Sequence, residues 1–91
     1  MSPEEKKKLR ARAHPLKPVV IVGQAGVSDA VLAEIESALD HHELIKVKIK
    51  ADDREARKQA GASICAATGA ETVQSIGQIL TIYRKHPDKR G

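Results

Sequence analysis

The amino-acid sequence predicts one small α/β domain with three helices and a four-stranded mixed sheet, in the order α-β-α-β-α-β-β. Three observations support this prediction: an unbroken Val and Ile run at residues 19–22, a strict alternation of apolar residues and lysines at residues 45–50, and three segments with capping residues and helical spacing. A chain of 91 residues buries roughly 60 to 65 % of its unfolded surface, enough for one core. We expect residues 2–85 to form this domain and residues 86–91 a basic flexible tail.

The first helix is predicted to run from Pro3 to about Ala13. Ser2 is a suitable N-cap, and Glu5 stands three residues later, where it completes a capping box. Two prolines then end the helix, because each disfavours helical backbone in the residue before it. The first strand follows at Val19–Val22, and its unbroken apolar run is typical of a strand that is covered on both faces.

A Gly-x-x-Gly loop, Gly23-Gln24-Ala25-Gly26, joins this strand to the second helix, expected at Asp29–His41 with Ser28 as its N-cap. Glycine lacks a Cβ atom, so the loop can take positive φ and let another molecule approach its backbone N–H groups closely. An anionic group is the natural ligand of such a loop. The alternative is a tight turn whose glycines serve geometry only.

The second strand lies within residues 43–50 and has one apolar and one basic face. Its alternation places Ile45, Val47 and Ile49 toward the core and Lys46, Lys48 and Lys50 toward water. Lysines in such a row either keep a sheet face soluble or form a cationic ridge. The sequence leaves both interpretations open.

The third helix is predicted from an N-cap at Asp52 to Thr68. Two further strands, at Thr72–Ile76 and Ile79–Arg84, flank Gly77-Gln78, which suits a two-residue hairpin turn. Right-handed crossovers make the first three strands mutually parallel, and the hairpin makes the last one antiparallel. The sequence does not fix the strand order, nor the place of the first helix on the sheet.

The net charge of +4 is unevenly distributed along the chain. No Lys or Arg occurs between Lys17 and Lys46, while that interval holds five acidic residues. This asymmetry is typical of a polyanion-binding face opposite an acidic one, although chance clustering on a solvated surface is the alternative. Tyr83 is the only aromatic residue, so a surface that stacks several bases is not expected.

No group of residues in the sequence predicts catalysis. The glycine loop lacks the spacing and the Lys-Ser/Thr ending of a nucleotide-triphosphate loop, and it lacks the third glycine of a dinucleotide fingerprint. Side chains of His41 and His42 would point about 100° apart on a helix, and no Cys or second His pair stands at metal-binding spacing. We therefore expect no enzymatic activity, no cofactor, no metal and no small-molecule substrate.

The first residues of the chain indicate where it acts. Residues 2–12 are charged throughout, unlike a secretory signal, and no apolar run approaches the roughly 20 residues of a membrane span. We expect a cytoplasmic protein without a membrane partner.

Several separated segments, in this order, resemble the CRM domain, named for chloroplast RNA splicing and ribosome maturation. They are residues 14–20, the loop at 23–26, residues 42–48, Thr68-Gly69, Ile76-Gly77 and Tyr83-Arg84. As a free-standing domain of this size, the chain is similar to the bacterial YhbY-type protein. The resemblance implies a fold similar to the C-terminal domain of bacterial translation initiation factor three. It also implies RNA as partner, in particular precursor large-subunit ribosomal RNA and the pre-ribosomal particle.

The resemblance also implies which residues contact RNA. The family's RNA-contacting loop falls on Gly23, Gln24, Ala25 and Gly26, with Lys17, Lys46 and Arg84 as its basic companions. From the uneven charge of the chain we add Arg12, Lys48 and Arg54 as expected RNA contacts. Many members carry a basic or strongly polar residue inside the loop, where this chain has Gln24 and Ala25. Affinity should then depend more on backbone N–H groups and on neighbouring lysines.

The expected function is binding of structured RNA through phosphate contacts, with shape more important than base sequence. The alternative is a protein-interaction module. In that case the acidic helix at Asp29–His41 docks on a basic ribosomal protein or assembly factor, and the lysines only maintain solubility.

Overall fold

The structure is a computed structural model, and it describes residues 1–85. The predicted order of elements is confirmed: α1 Pro3–Ala13, β1 Pro18–Val22, α2 Asp29–His42, β2 Leu44–Ile49, α3 Arg54–Thr68, β3 Glu71–Ile76 and β4 Ile79–Tyr83. The basic tail predicted at residues 86–91 lies outside the described residues. Across residues 1–85, no helix combines the length and the apolar character needed to cross a membrane.

The four strands form one mixed sheet in the order β1-β2-β4-β3. β1 pairs in parallel with β2, while β4 lies antiparallel between β2 and β3. The predicted directions, with the first three strands alike and the fourth reversed, are confirmed. The order places β1 and β3 at the two sheet edges.

One face of the sheet carries the main core, under α2 and α3. Alternate residues of the strands point into it, among them Val22, Val47 and Ile82, which are fully buried. They meet Ile35 of α2 and Ile64 of α3, which are also fully buried. Burial of each such aliphatic side chain stabilises the fold by about 1.5 to 3 kcal/mol. This core fixes the ends of β1 and β2, from which the loops emerge.

The opposite face is only partly covered, by α1. Leu9 and Ala13 of α1 form a smaller buried cluster with Leu44 and Val73. Beyond this cluster, no other part of residues 1–85 covers the sheet face. A row of paired residues crosses it, formed by Ile21, Lys48, Ile79 and Ile76.

The prediction that β1 is covered on both faces is wrong. Val20 and Val22 are buried, but Val19 and Ile21 are 52% and 55% exposed. The reason is tertiary: β1 is an edge strand, and α1 packs against β2 and β3. An apolar run in the sequence therefore marks an exposed aliphatic edge in this fold.

The helix caps follow the predictions at two of three helices. Ser2 forms the capping box with Glu5, and Ser28 Oγ accepts a hydrogen bond from the Val31 N–H at 3.2 Å. At α3 the N-cap is Asp53 rather than Asp52, with Asp53 Oδ1 accepting from the Glu55 N–H at 3.3 Å. Asp52 lies in the preceding turn, where its carbonyl oxygen has another partner.

Candidate nucleic-acid interface

Three loops meet at one end of the sheet, which we call the loop edge: Gly23–Gly26, residues 50–53 and Gly77-Gln78. They meet because the parallel strands β1 and β2 end there and the antiparallel hairpin turns there. Two backbone hydrogen bonds join them. The Lys50 N–H donates to the Val22 carbonyl at 2.9 Å, and the Ile49 N–H donates to the Gln78 carbonyl at 2.7 Å.

The Gly-x-x-Gly loop is a tight turn, closed by the Gly26 N–H donating to the Gly23 carbonyl at 3.0 Å. Only Gly26 takes a positive φ, of +95°, so only this glycine is required by the backbone. Gly23 takes an ordinary φ, and a Cβ placed on it would meet no atom within 4 Å. The turn geometry thus explains one glycine and leaves the other unexplained.

The tip of this loop carries free hydrogen-bond donors. Gln24 and Ala25 are exposed, and in the part of the chain that the structure describes their backbone N–H groups have no acceptor. Adjacent N–H groups of this kind form a concave site for an anion. The first turn of α2 adds the positive end of its dipole, although Asp29 already compensates part of it.

Three cations lie at the loop edge, beside the exposed carboxylates of Asp52 and Asp53. Lys48 is half-buried near the end of β2, and Lys50 and Arg54 are exposed on either side of the turn that leads into α3. Lys48 and Arg54 belong to the predicted contacts. Lys50 extends that set, and the lysine alternation along β2 was its signal in the sequence.

Arg57 holds the loop between β2 and α3 in place. Its Nη1 donates to the Ala51 carbonyl at 2.7 Å and to the Asp52 carbonyl at 2.9 Å. This contact gives a structural reason for a cation near the start of α3, where the helix dipole disfavours it. Arg57 therefore positions the loop that carries Lys50.

A groove of about 1040 Å³ continues from the loop edge between α3 and the β3–β4 hairpin. Arg54 and Lys58 line it, together with Thr72 and Ser75 and with the acidic residues Asp53 and Glu55. Cations and hydroxyls are the side chains that contact phosphate and sugar. Sequence reasoning did not single out Lys58 as an RNA contact, because its neighbours in the groove belong to strands that are distant in the chain.

Two predicted contacts, Arg12 and Lys17, lie at the opposite end of β1. Five strand residues separate Lys17 from Gly23, which at about 3.3 Å per residue places them roughly 20 Å apart. Arg12 and Lys17 line one cavity of about 410 Å³, which we call the Arg12–Lys17 cavity. The predicted contacts thus form two groups.

Lys46 lies between the two groups. It is half-buried, and its Nζ donates to the His14 carbonyl at 3.5 Å, just past the end of α1. A cation there complements the negative end of the α1 dipole. Among residues 1–85, Lys46 therefore has a hydrogen-bond partner for its side chain, whereas Lys48 has none.

Arg84, also a predicted contact, is engaged inside the fold. Its guanidinium donates to the carboxylates of Glu36 and Asp40 and to the Thr68 carbonyl, and its side chain is 19% exposed. An RNA phosphate would have to break these contacts. We therefore leave Arg84 out of the candidate interface, and its role in RNA contact stays a prediction.

Within residues 1–85, no three His, Cys, Asp or Glu side chains come together in a way that could hold a metal ion.

These features define a class of protein: a small α/β domain whose glycine loop joins an edge strand to a helix beside a basic surface. The chain belongs to the CRS1 / YhbY (CRM) domain family, whose model matches residues 1–84. The resemblance drawn from the sequence is confirmed.

Two relatives match over more than four fifths of their own lengths. The chain is 44% identical over 87 residues to a probable RNA-binding protein of Pseudomonas aeruginosa, covering 96% of this chain and 84% of the relative. It is 49% identical over 84 residues to an RNA-binding protein of Haemophilus influenzae, covering 92% and 85%. The fold matches the solution structure of a Staphylococcus aureus protein with a TM-score of 0.86 and 29% identity, over 99% of this chain and 94% of that one.

Proposed function

We propose that this chain binds structured RNA at the loop edge. The unpaired N–H groups of Gln24 and Ala25 hold a phosphate, while Lys48, Lys50 and Arg54 supply the surrounding positive charge. The protein acts by binding, without chemistry of its own. Family membership and the names of the relatives support RNA as the partner.

The observation that carries the proposal is the exposed glycine loop with free donors, placed beside cations from β2 and α3. Phosphate contacts of this kind supply affinity and orientation but little sequence information. Tyr83, the one aromatic residue of the chain, packs against the cluster under α1. No aromatic platform is therefore available for stacking several bases, which favours recognition of RNA shape.

The RNA that this chain binds is, in our proposal, ribosomal. The family's connection with ribosome maturation favours precursor large-subunit ribosomal RNA as the ligand and the pre-ribosomal particle as the site of action, in the cytoplasm. The measurement is a comparison of affinities for large-subunit ribosomal RNA fragments and for transfer RNA at equal salt. Preference for the ribosomal fragments supports this target, and equal affinity argues against it.

The structure weakens the argument for the alternative, a protein partner on the acidic face of α2. Arg84 pairs with Glu36 and Asp40, so two of the carboxylates on this helix are already neutralised within the fold. A basic partner would find less negative charge there than the sequence predicts. Direct RNA binding is the better supported function.

A loop variant tests the proposal. Replacing Gln24 and Ala25 with aspartates puts two negative charges at the proposed phosphate site, and both positions are exposed, so the fold should tolerate the change. The double asparagine variant is the matched control, because it has the same shape without charge. RNA titrations across a salt series measure the affinity and its salt dependence. The logarithm of the affinity should fall with the logarithm of the salt concentration, with a slope of about 0.9 per phosphate contact on duplex and about 0.7 on single strands.

We expect the aspartate variant to lose RNA binding with an unchanged melting temperature, and the asparagine variant to keep most of it. Equal affinity of the aspartate variant and the natural protein would remove the loop from the site. Little affinity of the natural protein for naked RNA at any salt would favour the protein-docking alternative.

A further inference from the structure

We propose that the Arg12–Lys17 cavity binds one unstacked nucleotide of the RNA, at a subsite separate from the loop edge. The inference rests on the proposed RNA-binding function and extends it. The base lies against the apolar walls of the cavity, and its phosphate lies between Arg12 and Lys17.

The cavity has the size and the walls for such a ligand. Its volume of about 410 Å³ is within the roughly 300 to 1,000 Å³ of small-molecule sites. Leu44 forms a buried wall, while Leu16 and Val19 are 39% and 52% exposed. Exposed aliphatic side chains beside a cavity favour a flat apolar group such as a nucleobase.

The charges at the cavity favour an anion. Arg12 and Lys17 line it, and none of its described lining residues is Asp or Glu. Within residues 1–85 neither of the two side chains makes a hydrogen bond or an ion pair. Both cations are exposed, so the fold leaves them available to a ligand.

A guanidinium plane can also stack on an unpaired base, as aromatic side chains do in other RNA-binding proteins. In this chain, which has a single aromatic residue, the guanidinium of Arg12 supplies the stacking surface at the cavity. A base held only by stacking and apolar contact is bound with little preference for its identity. The subsite therefore recognises that a nucleotide is extruded or terminal, and not which base it carries.

This subsite is independent of the loop edge. The two are separated by roughly 20 Å along β1. The Debye length is about 8 Å at physiological salt, so charges at one site act weakly at the other. An RNA that reaches both must present an unpaired nucleotide at this distance from the phosphate at the loop.

Nuclear magnetic resonance on the natural protein tests the subsite with AMP as the probe. We expect AMP to shift the amide signals of Leu16, Lys17, Val19 and Leu44 with one saturable curve. Inorganic phosphate and adenosine, the two parts of AMP, should each bind at least fivefold more weakly. Equal effects of phosphate and AMP, or shifts confined to residues 23–26, would overturn the inference.

A pair of variants in the last turn of α1 provides the matched control. Arg12→Gln and Arg10→Gln remove the same charge from exposed positions in that turn, but only Arg12 lines the cavity. We expect Arg12→Gln to weaken AMP binding at least threefold and Arg10→Gln to leave it nearly unchanged. Equal losses would show general charge attraction and would contradict the subsite.

The same titrations separate this inference from the proposed function. If the double aspartate loop variant keeps AMP binding in the cavity but loses RNA, both proposals stand. If the natural protein binds RNA at the loop but shifts no cavity residue with AMP, only the subsite fails. If it binds AMP in the cavity but no RNA, the proposed function fails and the cavity is a nucleotide site of another kind.

Discussion

Arg84 donates a hydrogen bond from Nη2 to the Asp40 carboxylate at 2.9 Å, joining the residue after β4 to the last turns of α2. The same guanidinium donates to the Glu36 carboxylate and, at 2.7 Å, to the Thr68 carbonyl. That carbonyl lies at the end of α3, where helix carbonyls lack partners within the helix. One side chain thus ties a strand end to two helices.

Arg84→Gln should lower the free energy of unfolding by roughly 1 to 2 kcal/mol, because charge-assisted hydrogen bonds are lost from a largely covered group. The half-exposed partner carboxylates keep the loss at this modest size. Urea unfolding measures it. RNA affinity of the folded protein should not change.

Lys85→Gln is the matched control for Arg84→Gln, since it removes a charge from the exposed neighbouring residue. We expect neither stability nor RNA affinity to change by much. If Arg84→Gln instead kept its stability and lost RNA affinity, Arg84 would be an RNA contact, as the sequence predicted.

The two loop glycines should respond differently to alanine. Gly26→Ala places a Cβ at φ +95° and should cost about 1 kcal/mol or more of stability. Gly23→Ala meets open space at an ordinary φ and should leave stability unchanged or slightly raised. If Gly23 serves close approach of RNA, its alanine variant should still bind RNA more weakly.

Thermal unfolding and RNA titration of both alanine variants give the measurement. A Gly23→Ala variant with natural affinity would show that the loop needs only the turn at Gly26. A Gly23→Ala variant that unfolds more easily would contradict the open space seen around this residue.

Local patterns in the sequence predicted every element and two helix caps, because these depend on neighbouring residues. The strand directions followed from the element order and the right-handed crossover rule. The exposure of Val19 and Ile21 could not be predicted in this way. An edge strand has a neighbouring strand on one side only, and the sequence left the strand order open.

The candidate site was predictable to the same extent. The glycine loop and the lysine row are local patterns, and both were found. The partners of Arg84 lie 48 and 44 residues away in the chain, and the cavity shared by Arg12 and Lys17 needs α1 placed beside β1. Only the assembled fold shows which cations are already paired and which are free.

The cations at the loop edge should set the salt dependence of RNA binding. Changing Lys48, Lys50 and Arg54 together to glutamine removes up to three phosphate contacts. The slope of log affinity against log salt should then fall by up to about 0.9 for each contact on duplex RNA. Filter binding over a salt series measures this slope.

The control for this triple variant removes the same charge elsewhere. Lys7, Lys8 and Arg10 are all exposed on α1, and none belongs to the loop edge. Their change to glutamine should alter the slope much less. Equal slopes for the two triple variants would mean that RNA affinity depends on the net charge of the protein and that the loop edge makes no specific phosphate contacts.

Gly61 and Gly69 make a contrasting pair that tests the packing of α3. Gly61 is in the helix, where glycine is less favourable than alanine by about 1 kcal/mol. A Cβ there would lie 3.5 Å from Leu80 Cδ2, an ordinary van der Waals contact, so Gly61→Ala should raise the unfolding free energy by about 0.5 to 1 kcal/mol. Gly69 ends the helix at φ +76°, so Gly69→Ala should lower the free energy of unfolding by about 1 kcal/mol. The melting temperatures of the two variants should therefore shift in opposite directions, by about 4 to 8 °C per kcal/mol. A Gly61→Ala variant that is less stable than the natural protein would mean that α3 packs too closely on Leu80 of β4 to accept a Cβ at this position.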